Sequence, residues 1–253
     1  MLLGSIHLRS KLQAKRKAEA DREAASLQAA QDLAAGMLDI SKQGLTPEDV
    51  TGMAHSLFDE RSFTALDISG NTIGDEGATA LAEVALANFF VPLRHVDMAL
   101  NDIGNRGIGA VARALKANAE PPLALLDLSW NAFGDEGATA LAEALAQSDP
   151  ITGERTLRLR TLKLAGNAVK NAGGRALVEA LEGNRTVREL DLSSNQIEQS
   201  MCAQLHAAAR HFGGGLALNT SSQQNEQWSA DAGGFKEKQY VVVKKQTLNM
   251  FGS

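Results

Sequence analysis

LDISGNTIGDEGATALAEVA runs from Leu66 to Ala85 and recurs, with variations, along the chain. Its first six residues follow the order apolar-x-apolar-x-x-Asn. The same order opens LDISKQGL at Leu38 (with Gln43 for Asn), VDMALNDI at Val96, LDLSWNAF at Leu126, LKLAGNAV at Leu162 and LDLSSNQI at Leu190. These starts lie 28, 30, 30, 36 and 28 residues apart. A period of that size marks a stack of supersecondary units rather than a single core around a central site.

Leu66 and Ile68 are two residues apart, so both face one side of a short strand while Asp67 and Ser69 face the other. Asn71 then suits a bend in which its amide bonds backbone groups that have lost their strand partners, and stacking would align such amides into a ladder. In the run that follows, Gly77, Ala80, Leu81, Val84 and Ala85 form an apolar stripe of helical period. Asp75 and Glu76 occupy the first turn, where the helix dipole favours negative charge. FGDEGATALAEAL, from Phe133 to Leu145, repeats this helix almost letter for letter. One strand and one helix cannot bury their own apolar faces, so the unit requires neighbours.

FTALDISGNTI, LRHVDMALNDI, LALLDLSWNAF, LRTLKLAGNAV and VRELDLSSNQI, between Phe63 and Ile197, resemble the ribonuclease-inhibitor-type leucine-rich repeat family. That family's signature is LxxLxLxxNxL followed by GDEGAxALAEAL. The resemblance implies an α/β solenoid of about six strand-helix repeats, with parallel strands on a concave face and helices on the convex one. The first repeat departs from it with Gln43 and with Thr46-Pro47, as terminal repeats do. GLALN, from Gly215 to Asn219, reads as a seventh strand with Leu216 in line with Leu190. The expected organisation is a basic amphipathic helix and cap over 1–35, a repeat domain over 36–218, and a linker and docking tail over 219–253.

The 253 residues carry a net charge of -5 and a pI near 5.6, which argues against a nucleic-acid binder held by a basic face. Only 4% of residues are aromatic against 44% hydrophobic, so the core is expected to be aliphatic. Cys202 is the single cysteine, which excludes an internal disulfide, fits a reducing compartment and reads as a small buried side chain. No stretch reaches the about 20 apolar residues of a membrane span, and MLLGSIHL is too short for a secretory signal. These features predict a cytoplasmic chain. An alternative is an organelle matrix, because Arg9, Lys11, Lys15, Arg16 and Lys17 precede the first acidic residue, Glu19. The five histidines show no metal-ligand spacing, and GIGAVA at Gly107 fills a repeat slot rather than a dinucleotide fingerprint, so neither cofactor, metal nor small-molecule substrate is expected.

The position between the apolar pair reads Asp39, Asp67, Asp97, Asp127, Lys163 and Asp191. It is open to two readings: an acidic groove for a basic partner, rimmed by Arg94, Arg160 and Arg188, or carboxylates that satisfy the strand ends. The residue before the Asn reads Lys42, Gly70, Leu100, Trp130, Gly166 and Ser194. Leu100 and Trp130 are either neighbouring hydrophobic anchors on the rim or ordinary loop packing. The 36-residue spacing places an insertion at Gln147 to Arg158. Ser5 to Ala35 reads as one helix, and FKEKQYVVVKKQTLNMF, from Phe235, as a β-prone tail in which Tyr240 and Val242 contact a partner.

The expected function is a non-enzymatic protein-interaction scaffold that meets other proteins through the concave face and both extensions. The contacting residues would be Asp67, Asp97, Leu100, Asp127, Trp130, Lys163, Asp191, Tyr240 and Val242. The resemblance further implies a structural subunit of a larger, ciliary or cytoskeletal, assembly. It also leaves a regulatory alternative: Ran-activating proteins share this repeat type and present an arginine from a strand-to-helix loop, and Arg106 in IGNRG is the similar offer here.

Overall fold

The structure is a computed structural model that describes residues 36–59, 63–87, 92–117, 123–146, 157–182, 186–210 and 216–223. The expected helix of residues 5–35, residues 147–156 of the insertion, and the tail with Tyr240 and Val242 lie outside the described residues. Within them, seven three-residue strands pair in parallel, in chain order, as one sheet. They are β1 (Met37–Asp39), β2 (Ala65–Asp67), β3 (His95–Asp97), β4 (Leu125–Asp127), β5 (Thr161–Lys163), β6 (Glu189–Asp191) and β7 (Ala217–Asn219). Six helices alternate with them: α1 (Pro47–Asp59), α2 (Gly74–Leu81), α3 (Asn105–Ala117), α4 (Asp135–Ala146), α5 (Asn171–Ala180) and α6 (Gln199–Arg210).

Leu38, Leu66, Val96, Leu126, Leu162 and Leu190 stand opposite one another across the sheet, as their spacing predicts. The seventh strand is shifted by two residues from expectation: Leu218, not Leu216, faces Leu190. Leu218 thereby restores the 28-residue spacing seen between Leu162 and Leu190. Each repeat sends its strand pair, one loop residue and its helix leucines into a common core. In the fourth these are Leu126, Leu128, Phe133, Leu141 and Leu145, all buried.

The second helix corrects the phase of the apolar stripe. Gly77, Ala78, Leu81, Ala82, Ala85 and Leu86 are buried, whereas Ala80 and Val84 are only partly covered. Compared with ALAEAL in α4, the sequence ALAEVAL holds one extra residue. The backbone absorbs it as a π-helical turn over Ala82–Leu86, where the Ala87 N–H donates to Ala82 O at 2.9 Å. That turn returns Ala85 and Leu86 to the core positions that Ala144 and Leu145 fill in α4.

The first-turn acids also do more than complement their own helix dipole. Asp75 Oδ1 accepts the N–H groups of Gly104 (2.7 Å) and Gly107 (2.8 Å), capping the helix of the next repeat. Asn105 does the same for Gly134 (2.8 Å) and Gly137 (3.1 Å), and Asp135 for Lys170 (2.7 Å) and Gly173 (2.9 Å). Each cap therefore welds two repeats by satisfying N–H groups that a helix start leaves open. It also explains the glycines that receive these caps at Gly107 and Gly173. A Cβ at Gly107 or Gly173 would stand 2.7 Å from the capping oxygen, closer than any side chain tolerates.

The asparagines complete the stack. Asn131 Nδ2 donates to Met98 O of the preceding repeat (3.1 Å) and to Leu128 O of its own (3.0 Å). Its Oδ1 accepts the N–H groups of Asn101 (3.1 Å) and Ile103 (3.0 Å). Asn71, Asn167 and Asn195 bridge repeats alike. Gln223 supplies the last rung, donating to Leu192 O at 2.8 Å and accepting from Ile197 N at 3.1 Å.

Gly173→Ala is expected to lower stability by about 1–3 kcal/mol through overpacking against Asp135. At Gly109 a Cβ would meet nothing nearer than 3.6 Å, so Gly109→Ala is expected to be neutral or to stabilise by up to about 1 kcal/mol. Urea unfolding of both variants checks this, and equal losses would refute the cap-and-glycine pairing.

Candidate protein-binding face

Residues flanking the core leucine of each strand point away from the helices, so the outer face of the sheet carries two rows. The first contains Ala65, His95, Leu125, Thr161 and Glu189. The second is the row singled out by sequence, and the register stacks Asp39, Asp67, Asp97, Asp127, Lys163 and Asp191 side by side, followed by Asn219. The two-residue alternation of the strands places this first row on the same face as the second.

Every acid in the second row uses one oxygen locally. Asp39, Asp67, Asp97, Asp127 and Asp191 each accept the N–H two residues on at 2.9–3.0 Å, and Asn219 accepts Ser221 N at 3.1 Å. This closes the strand end with an Asx turn. The charge remains. Lys163 meets part of it, with Nζ 3.5 Å from Asp127 Oδ2 and both side chains largely covered. Farther from Lys163, Asp97 sits between Asp67 and Asp127. Burial first, then the charges of Asp127 and Asp67, hold the Asp97 carboxyl well above the usual carboxylate range, outweighing the Ala99 N–H and Lys163. His95, its neighbour in the first row, is pushed down by burial and by Arg94.

Beyond the acids the chain turns through the position that precedes each Asn, and there the backbone is left-handed in every repeat. Gly70 and Gly166 adopt it at φ of 69°, but so do Leu100 (56°) and Trp130 (58°). For a bulky residue this costs roughly 1–2 kcal/mol. Trp130 is partly buried and its indole lies over the next repeat: a Cβ on Gly166 would come within 2.5 Å of Cδ2 and Cε3. The structure thus brings Leu100 and Trp130 together on successive repeats, at the strand-end border of the acidic row. The ring packs on the following repeat at Gly166 while the residue stays partly accessible.

Arg106 lies elsewhere, at the start of α3 on the helix side. Its guanidinium is 3.8 Å from Asp75 and 3.6 Å from Glu76, largely solvent-exposed, so these pairs add little stability. Farther along α3, Lys116 pairs with Glu143 of α4 at 2.8 Å, lowering the Glu143 pKa. Cys202 is buried on α6. Among the described residues no group of His, Cys, Asp or Glu could hold a metal ion, and no helix is long and apolar enough to cross a membrane.

Seven in-register parallel strands, successive ones connected by a helix and joined by an amide ladder, define a strand-helix repeat solenoid. Residues 61–82, 92–112, 122–142, 159–178 and 183–199 match the model of the leucine-rich repeat, and the chain is a leucine-rich repeat protein. No curated protein matches it. Among solved structures, a crystal structure of a Bacteroides fragilis protein is similar over 75% of this chain at 12% identity and a TM-score of 0.36. The match spans 66% of that protein, just under two thirds of its length. The fold assignment stands on the strand register and the repeat match, not on that likeness.

Because Asp97 has a folded-state pKa above its unfolded one, the folded chain binds more protons between the two. Stability from this group is therefore lost as pH rises through that window. Asp97→Asn keeps the Asx turn, as Asn219 demonstrates, and removes the repulsion. It is expected to raise stability at neutral pH by about 1 kcal/mol, the repulsion of two charges one strand apart in water. Thermal melts from pH 4 to 8 check this; a lower melting temperature for Asp97→Asn at pH 7 would overturn the assignment.

Proposed function

We propose that the chain is a non-enzymatic interaction scaffold of the ribonuclease-inhibitor repeat type, which holds a partner protein against the outer face of its sheet. The observation that carries this reading is the pair Leu100 and Trp130. Two large apolar side chains occupy successive left-handed positions where flanking repeats have glycine. Strain of that kind persists where function selects the side chain rather than the backbone. Large apolar groups next to a charged row match the composition of an interface centre. The repeat match supports protein binding as the class of activity.

The two extensions belong to the same proposal, as contacts to neighbouring subunits of a larger cytoplasmic assembly. The cytoskeletal or ciliary setting rests on the resemblance in repeat type, and fractionation of tagged chain with axonemal or cytoskeletal material tests it. Since Gln223 closes the last rung, the truncation that tests the C-terminal tail begins at residue 224 rather than inside the repeat body.

With a partner recovered by affinity purification of the intact chain, Leu100→Gly and Trp130→Gly are each expected to weaken binding roughly tenfold or more. Leu100→Gly should leave unfolding free energy within about 1 kcal/mol, because glycine relieves the left-handed strain. Titration calorimetry beside urea melts separates the two effects. Unchanged affinity in both variants would sink the binding-face reading.

A further inference from the structure

Resting on that binding-face reading, we infer that the sheet face fits a partner segment of opposed polarity, its Lys or Arg side chain beside Asp97 and its acidic group against Arg94 and Arg160 at the strand starts. Three separate observations converge on it. The first is the acidic row, in which Asp67, Asp97 and Asp127 stand one strand apart in register. The second is a basic row at the residue just before each strand begins, three residues ahead of the acidic row in sequence. There Arg94, Ala124, Arg160 and Arg188 stack through the backbone bonds Ala124 N to Arg94 O (2.7 Å), Arg160 N to Ala124 O (2.8 Å) and Arg188 N to Arg160 O (2.8 Å). Arg94 and Arg160 are exposed, and among the described residues neither makes an ion pair with an acid.

The third is the cation that the chain itself places in the acidic row. Lys163 seats its ammonium 3.5 Å from Asp127 with its side chain only 14% exposed, so the row accommodates a covered cation. Asp97, one strand further on, offers a partner's ammonium or guanidinium the same kind of seat, where a positive charge would relieve the repulsion from Asp67 and Asp127. The two rows are three residues apart along the chain, at most about 10 Å, with Leu125 between them as an apolar contact. A segment bearing both signs can thus lie along the strand direction in one orientation only, because reversing it sets like charges together. Acids over the arginines and a base over Asp97 also leave the partner's next residues toward Leu100 and Trp130.

A random-peptide display library panned on the intact chain at low salt tests the inference. Enriched sequences are expected to combine Asp or Glu with Lys or Arg at a spacing of about three extended residues, flanked by an aliphatic or aromatic side chain. Arg94→Glu with Arg160→Glu should remove the acidic preference, and Asp97→Asn the basic one. Enrichment that keeps the same charge composition in all variants overturns the inference. If Trp130→Gly abolishes that enrichment meanwhile, the binding-face reading survives without the charge pattern. No enrichment over bare support, or enrichment that neither Trp130→Gly nor the charge variants alter, counts against both.

Discussion

A single repeat of this protein cannot satisfy its own backbone, and the buried asparagine amide is what forces repeats together. Three-residue strands end after two or three ladder bonds, and the chain must then leave the sheet with its carbonyls and N–H groups still under cover. Asn131, Asn167 and Asn195 resolve this by donating to carbonyls of their own loop and of the repeat before, while accepting N–H groups from that same neighbour. Removing one such amide would strand several buried groups at once, each at about 1–3 kcal/mol. The ladder has one loose rung. Asn101 Oδ1 is the buried side-chain atom with no hydrogen-bond partner among the described residues, at the junction with the repeat whose helix carries the extra residue.

The amide fixes more than the stack. To turn Asn131 inward, the residue before it must go left-handed, which is why that position holds Gly70 and Gly166 and strains Leu100 and Trp130. On the helix side Asp75, Asn105 and Asp135 repeat the same logic, one polar atom crossing to the next repeat and a glycine clearing its path. Inter-repeat polar bonds at both ends of the helix-strand unit leave the aliphatic core between them to supply burial rather than register.

Strand register was legible because Leu-x-Leu is short, alternating and followed by a fixed breaker. The miss at the seventh strand is instructive: in LALN either leucine can face inward, and alternation alone does not choose. The deciding signal was polar, with Gln223 lying five residues after Leu218 as Gln43 lies five after Leu38. Thr220 in place of the second apolar residue hid it. The helix phase was illegible for another reason, since alanine is small enough to sit on either face and one inserted residue shifts every later position. As for the acidic row, an Asx turn and a ligand-binding carboxylate demand the same residue at the same place. The sequence therefore could not separate them; the flanking of Asp97 followed from the repeat order, while the contact of Lys163 with Asp127 needed side-chain geometry.

Repetition makes the exceptions informative. A scaffold that accepts glycine or serine before the Asn has no structural need for an indole there, and the left-handed backbone penalises one. Gly166 shows how the penalty is offset. It lacks a side chain both because its own φ is 69° and because the Trp130 ring occupies the space a Cβ would take. The ring is thus held by contact with the following repeat instead of being free to rotate. An aromatic group fixed before binding would lose little rotamer freedom on contact, which is what the proposed anchor role of Trp130 requires of a strained loop residue.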